Sequence, residues 1–224
     1  MTGANPFAAA VLFHLGAVPI SPAVVTTWAI MAVLAGGARL LTRRLVDRPG
    51  RAQAALEAVV GAVAGQIEDT MRQPARPYLP LVGTLFLFVL ACNLAPALPG
   101  VTAPTARIET TGALASVVFL ATHVYGVRAL GLRRYLAHYL QPSPLLAPLT
   151  LLSEGTRTLA LMVRLFGNVM SHELVLAVLL GLAGLLLPVP VMALGLLIGA
   201  VQAYIFAVLA AVFIGAAVGA VEAG

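Results

Sequence analysis

The chain has 224 residues, 61% apolar and 9% charged, and its mean hydropathy of +1.01 is that of a polytopic membrane protein, which excludes a soluble domain of any size. Its formal charge of +5 arises from 13 basic residues, all arginine, against 8 acids. The arginines gather beside apolar spans without interleaved aromatics, a pattern that excludes nucleic acid as a partner and fits loops retained on the inner side of a bilayer.

Residues Met1 to Pro22 carry no charged side chain and lack a signal peptide's basic start and small-residue cleavage site. Phe7 to Leu15 is too short to span and is expected to lie at the interface. The first span is expected at about Ala23 to Leu41. Arg39, Arg43, Arg44, Arg48 and Arg51 follow it, which puts that end in the cytoplasm and the N-terminus outside. Pro49-Gly50 breaks the chain. Ala52 to Met71 then places Leu56, Val59, Val60, Val63 and Ile67 on one face of an amphipathic surface helix. A second span is expected at about Leu79 to Leu94, containing the lone Cys92 as a packing residue. An external loop through Pro104, Arg107 and Glu109 leads to a third span, Thr110 to Val127, which returns to Arg128, Arg133 and Arg134 on the inside. Gly131 to Leu140 is a short basic, aromatic surface segment.

Between Pro148 and Pro188 no proline occurs, and about 39 residues at roughly 1.5 Å each give nearly 60 Å of helix, twice a hydrocarbon core of about 30 Å. A single upright span is excluded. Either the helix breaks at Gly167, Gly181 or Gly184, or it tilts steeply. After a Pro188-Val189-Pro190 turn, Val191 to Val221 is again too long to stand upright. Gly195, Gly199, Ala203, Ala207, Ala210 and Ala211 would let the two helices approach closely as a hairpin. The expected fold is an all-α membrane protein: about three transmembrane helices, a hairpin of two long, steeply tilted helices, and short amphipathic surface helices. It forms one integral-membrane domain over 1–224, with peripheral spans and surface helices in 1–144 and the hairpin in 145–224.

Polar residues interrupt the first long helix where they are least expected. With Arg164 as zero and about 100° per residue, Glu154, Arg157, Asn168 and His172 all fall within about 80°, whereas Glu173 lies near 180°. A mid-membrane arginine costs about 2.5–3.5 kcal/mol and marks by default an ion path or a counter-ion. Its guanidinium does not deprotonate. The plainer alternatives are that Arg164 neutralises an acid of its own chain or snorkels to an interface. On the second long helix Gln202 and Tyr204 are the strongly polar side chains at depth. Gln202 is expected to hydrogen-bond Arg164 or a water beside it, with a purely structural interhelical bond as the competing reading. No phosphate-binding glycine loop, zinc or nucleophile motif occurs. The four histidines, His14, His123, His138 and His172, lie on separate segments without ligand spacing, so no metal or cofactor is expected. His123 and His138 are expected to be packing or interfacial residues.

The run R-L-F-G-N from Arg164 to Asn168, the acid at Glu173 and Q-A-Y-I-F from Gln202 to Phe206 resemble subunit a of the rotary F-type ATP synthases. Further likeness lies in P-T-x-x-x-x-T at Pro104 to Thr110, in G-x-x-x-Y-x-x-H-x-x-x-P at Gly131 to Pro142, and in the E-x-x-R pair Glu154 and Arg157. The chain's early start is compatible with the short N-type variant of that family. The resemblance implies a non-catalytic ion-channel stator in a bacterial plasma membrane, with its C-terminus cytoplasmic. It further implies a ring of c subunits, subunit b and other membrane-sector subunits as partners, besides the lipid bilayer. It implies that Arg164 is the essential arginine, Asn168 the conserved asparagine, Glu173 the access-channel acid and Gln202 the glutamine of the last helix. The chain departs from the family pattern at Pro96, Arg107 and Gly195, where other members carry acids or a channel histidine. His172, one residue before Glu173, is expected to take over a relay role. A secondary transporter, or an assembly scaffold with internally paired charges, is the alternative; no inverted repeat supports the former.

Overall fold

Lipid offers backbone N–H and C=O groups no partner, so apolar runs of this length must satisfy them internally as helices. The computed structural model describes residues 13–15, 18–43, 50–98, 101, 103–139, 147–183 and 188–219. Two three-residue strands, β1 (Phe13–Leu15) and β2 (Val18–Ile20), pair antiparallel. Among the described residues seven α-helices follow: α1 (Pro22–Thr42), α2 (Arg51–Met71), α3 (Leu79–Leu94), α4 (Ile108–Leu130), α5 (Leu132–Tyr139), α6 (Ala147–Ala183) and α7 (Pro188–Gly219). Among the described residues, α1, α3, α4, α6 and α7 are long and apolar enough to cross a membrane. The all-α membrane fold anticipated from the sequence is therefore present, with a small hairpin ahead of it; Phe7 to Leu12 of the expected interfacial segment lie outside the described residues.

Two of the three expected break points, Gly167 and Gly181, do not interrupt the long proline-free run. The 37 residues of α6 pass through Gly167 and Gly181 without interruption, about 55 Å in all. Gly184 lies outside the described residues. Pro188 and Pro190 do not form a turn, as the sequence suggested; they occupy the first turn of α7, where a missing N–H costs no helical bond.

The core is built around α7. Its most extensive contact is with α3, not with its sequence neighbour α6. Leu85 and Val89 of α3, Leu114 and Val118 of α4, and Leu161 and Leu165 of α6 enclose Ala203, Phe206 and Ala210 of α7. The small residues expected to serve the hairpin thus serve α3 as well. At Gly199 an added Cβ would meet the Cβ of Asn93 at 2.9 Å, closer than atoms tolerate. On the other face of α7, Ala207, Ala211, Ile214 and Val218 pack against Ile67 and Met71 of α2 and Tyr78 and Val82 at the start of α3. The amphipathic helix α2 is therefore docked at its C-terminal end and exposed along its N-terminal half.

Local chemistry fixes the joints. Arg72 takes a left-handed φ of 55° as the cap of α2 and donates its N–H to the Glu68 carbonyl. The Glu68 carboxylate accepts the Ala75 N–H at 3.2 Å, which fixes the turn into α3. Between α4 and α5, Gly131 adopts φ +76°, and Tyr135 folds back with its ring 2.5 Å from where a Cβ of Gly126 would stand.

Candidate functional site

Helix α6 is covered on one side only. Leu161 and Leu165 are buried, whereas Leu152, Leu159, Val163, Leu174, Val178 and Leu182 are exposed. Arg164 projects beside Val163 on this uncovered face; among the described residues it is exposed and makes no ion pair or hydrogen bond. An unpaired guanidinium in an apolar stripe is costly in lipid and must meet its counter-charge elsewhere. Among the described residues no acid neutralises Arg164 internally.

On the C-terminal side of Arg164, α6 and α7 enclose a narrow cavity of about 50 Å³, lined among others by Asn93, Asn168, His172, Glu173, Gly195 and Gln202. Asn168 Nδ2 donates to Gln202 Oε1 at 2.7 Å. Gln202 is 3% exposed, and its Nε2 is buried with no partner among the described residues. A buried amide donor of this kind is ordinarily met by water, and the cavity has room for one or two molecules at about 30 Å³ each. His172 lies directly over Gly195: a Cβ at position 195 would fall inside the imidazole. Glu173 accepts the Ala103 N–H at 3.1 Å, and with Arg107, Glu109 and Phe166 it lines a wider pocket of about 350 Å³ at the α3–α4 connection. Asn93 completes this end, donating to the Gly199 carbonyl at 2.9 Å and accepting from Thr105 Oγ1 at 2.7 Å.

On the N-terminal side of Arg164 a separate cavity of about 260 Å³ lies between α4, α5, α6 and α7. Its polar lining includes His123, Glu154, Arg157, Ser153 and Thr158. His123 Nε2 stands 3.3 Å from Glu154 Oε2. Arg157 is exposed at its edge.

Several sequence expectations shift in this geometry. Gln202 bonds Asn168 rather than Arg164, so the polar interhelical link is an amide pair one turn away from the charge. His172 was grouped on the wheel with Glu154 and Arg157; it shares the narrow cavity with Glu173, because α7 presents Gly195 there and leaves the ring room. His123, expected to be a packing or interfacial residue, partners Glu154. Asn93 was not singled out for this end, and Thr105 entered only as the threonine of the P-T-x-x-x-x-T run; neither was expected to bond the other.

The family model for the ATP synthase A chain matches residues 24–215. ATP synthase subunit a 2 of Bradyrhizobium sp. (strain BTAi1 / ATCC BAA-1182) is 56% identical over 98% of this chain and 99% of its own length. ATP synthase subunit a 2 of Pelobacter propionicus is 47% identical over 95% of this chain and 93% of its own, and ATP synthase subunit a 1 of Hahella chejuensis 48% over 92% and 88%. The apolar helices and this near full-length likeness lead to one conclusion: the chain belongs to the ATP synthase subunit a family, integral membrane components of the enzyme's membrane sector.

Proposed function

We propose that this chain is the ion-translocating stator of an F-type ATP synthase, itself without catalytic chemistry. Its two cavities act as aqueous half-channels, and Arg164 controls ion exchange on carboxylates of a rotating c-ring. The single observation carrying this reading is that Arg164 is exposed and unpaired on an uncovered apolar face, with a polar cavity on either side of it along α6. A rotor carboxyl can face lipid when neutral but not when ionised, so it loads and unloads only where water reaches. A guanidinium about 4 Å away favours the ionised form by about 4 kcal/mol at an effective dielectric near 20, which expels the bound ion. The same fixed charge repels a cation crossing directly between the cavities. Ions then travel on the ring, and about 2.3 kcal/mol per charge per 100 mV drives them.

In this reading residues 145–224 present the face to the ring, and subunit b is a further neighbour. The bilayer is a bacterial plasma membrane, with the N-terminus outside and the C-terminus cytoplasmic. The arginines at 128, 133 and 134 support a cytoplasmic position for the His123–Glu154 cavity and an outer one for the Glu173 cavity. The test is Arg164→Ala in inverted vesicles: ATP-driven ion pumping should be abolished while the complex still assembles, and normal pumping would refute the assignment. Arg164→Lys should also fail, since an ammonium gives up its proton more readily when desolvated and lacks the planar fork.

A further inference from the structure

The wide cavity, the one of about 260 Å³ between α4, α5, α6 and α7, brings together two titratable side chains from different helices. His123 Nδ1 lies 2.8 Å from the Phe119 carbonyl on its own helix, and Nε2 lies 3.3 Å from Glu154 Oε2. A carbonyl oxygen only accepts, so Nδ1 carries a hydrogen. Nε2 then faces the Glu154 carboxyl oxygen. The ring is held in place, with the Phe119 centroid at 4.2 Å and Tyr135 edge-on at 6.0 Å. The other titratable or charged groups lining the cavity are Tyr135 of α5 and Arg157 of α6; α7 contributes Phe213, Ala216 and Ala217, and α4 adds Phe119 and Thr122. At about 260 Å³ the cavity accommodates several waters at about 30 Å³ each.

We propose that the His123–Glu154 pair is the proton-exchange group of this cavity, with Glu154 carrying the transferred proton and His123 as its positioning residue. The proposal rests on the channel reading and names H+ as the ion handled here. A rotor carboxyl beside Arg164 breaks its O–H bond and becomes a carboxylate. The proton travels through cavity water and forms an O–H bond on the Glu154 carboxylate. That bond breaks when a water on the exit side takes the proton, and the carboxylate is restored. No net charge stays behind.

The experiment uses the complete ATP synthase in liposomes, with passive proton conduction under a potassium diffusion potential and ATP-driven pumping, both followed from about pH 6 to 9, the range in which histidine chemistry operates. His123→Gln keeps a donor toward Glu154 but no transferable proton. Conduction should fall about a hundredfold, the low end of the range for a lost proton-transfer group, and its pH profile should change shape. Glu154→Gln should do the same, Glu154→Asp should recover part of the loss, and the double variant should be no worse than Glu154→Gln alone. If His123→Gln does not assemble, the Glu154 pair of variants gives the same reading. An unaltered pH profile in both His123→Gln and Glu154→Gln, with or without a uniform loss, overturns the proposal, as does wild-type pumping that requires Na+. Arg164→Ala separates the two readings. If it still pumps, the channel reading fails; if it is inert while the His123 and Glu154 variants keep the native profile, only the proton-exchange assignment fails.

Discussion

Each of the two cavities flanking Arg164 has a histidine and a glutamate, arranged in opposite ways. In the wide cavity the two come from different helices and touch, with His123 of α4 against Glu154 of α6. In the narrow one they are neighbours in the sequence and turn apart: His172 covers Gly195, while Glu173 reaches the Ala103 N–H. The cause is the packing partner. Where α7 packs on α3 through Gly199, the gap between α6 and α7 is about 50 Å³ and is set by backbone positions and amide bonds, while Glu173 also lines the separate pocket of about 350 Å³ at the α3–α4 connection. Toward the other end α4 and α5 hold α6 and α7 apart around about 260 Å³, and two titratable side chains can meet there. The same chemical groups thus make a fitted passage at one end and a roomy, wettable vestibule at the other.

Removing charge without changing shape should expose this contrast most strongly at Glu173. Glu173→Gln keeps an oxygen for the Ala103 N–H, so the loop stays anchored while the titratable group disappears. ATP-driven pumping in vesicles should drop at least about tenfold with assembly intact. Pumping at the native rate would reduce Glu173 to a structural acceptor and leave the narrow cavity without an exchange group.

A smaller effect, and a sharper test of fit, concerns the ring over Gly195. Gly195→His places a side chain where the His172 imidazole already lies. Overpacking of this kind costs about 1–3 kcal/mol. Pumping should fall several-fold, and His172→Gly in the same chain should restore most of it by vacating the volume. Loss without rescue would show that the space is not interchangeable. Free tolerance of Gly195→His alone would show that the cavity is not tight.

The periodicity of the sequence made the spans legible: α3 begins and ends where hydropathy placed it, and α6 is the long unbroken helix its missing prolines allowed. Arg164, Asn168, Glu173 and Gln202 stood out in the sequence because polarity at membrane depth is expensive and therefore informative. What could not be read were the partners. Gln202 was aimed at the charge of Arg164, but its side chain meets Asn168, since α7 crosses α6 one turn away. His123 looked like packing because its acid lies on another helix, 31 positions away, and no local spacing encodes such a meeting. Nor does the small-residue stripe of α7 name its partner. Gly199 fits against Asn93 of α3 for the same reason it would fit against any close backbone.

The smallest expected effect sets one hydroxyl at each end against the other. Thr105 Oγ1 donates to Asn93 Oδ1 at 2.7 Å, and Thr105 is 0% exposed with Asn93 at 6%. Thr105→Val removes the donor at nearly constant volume and leaves a buried acceptor unmet, at a cost of about 1–3 kcal/mol. The Asn93 amide still holds the Gly199 carbonyl, so the narrow cavity should loosen rather than collapse. The detergent-solubilised complex should melt a few degrees lower, pumping should fall about twofold, and Thr105→Ser should restore both. In the wide cavity Thr158 Oγ1 donates at 3.1 Å to the carbonyl of Glu154, one turn back on its own helix. That carbonyl is already within the helical hydrogen-bond ladder, so Thr158→Val orphans no acceptor and should shift stability by no more than about 0.5 kcal/mol. Equal effects of the two substitutions would mean that both cavities are held by the same kind of bond. Unequal effects in this order follow if one end is fitted by side-chain bonds between elements and the other is only bordered by them.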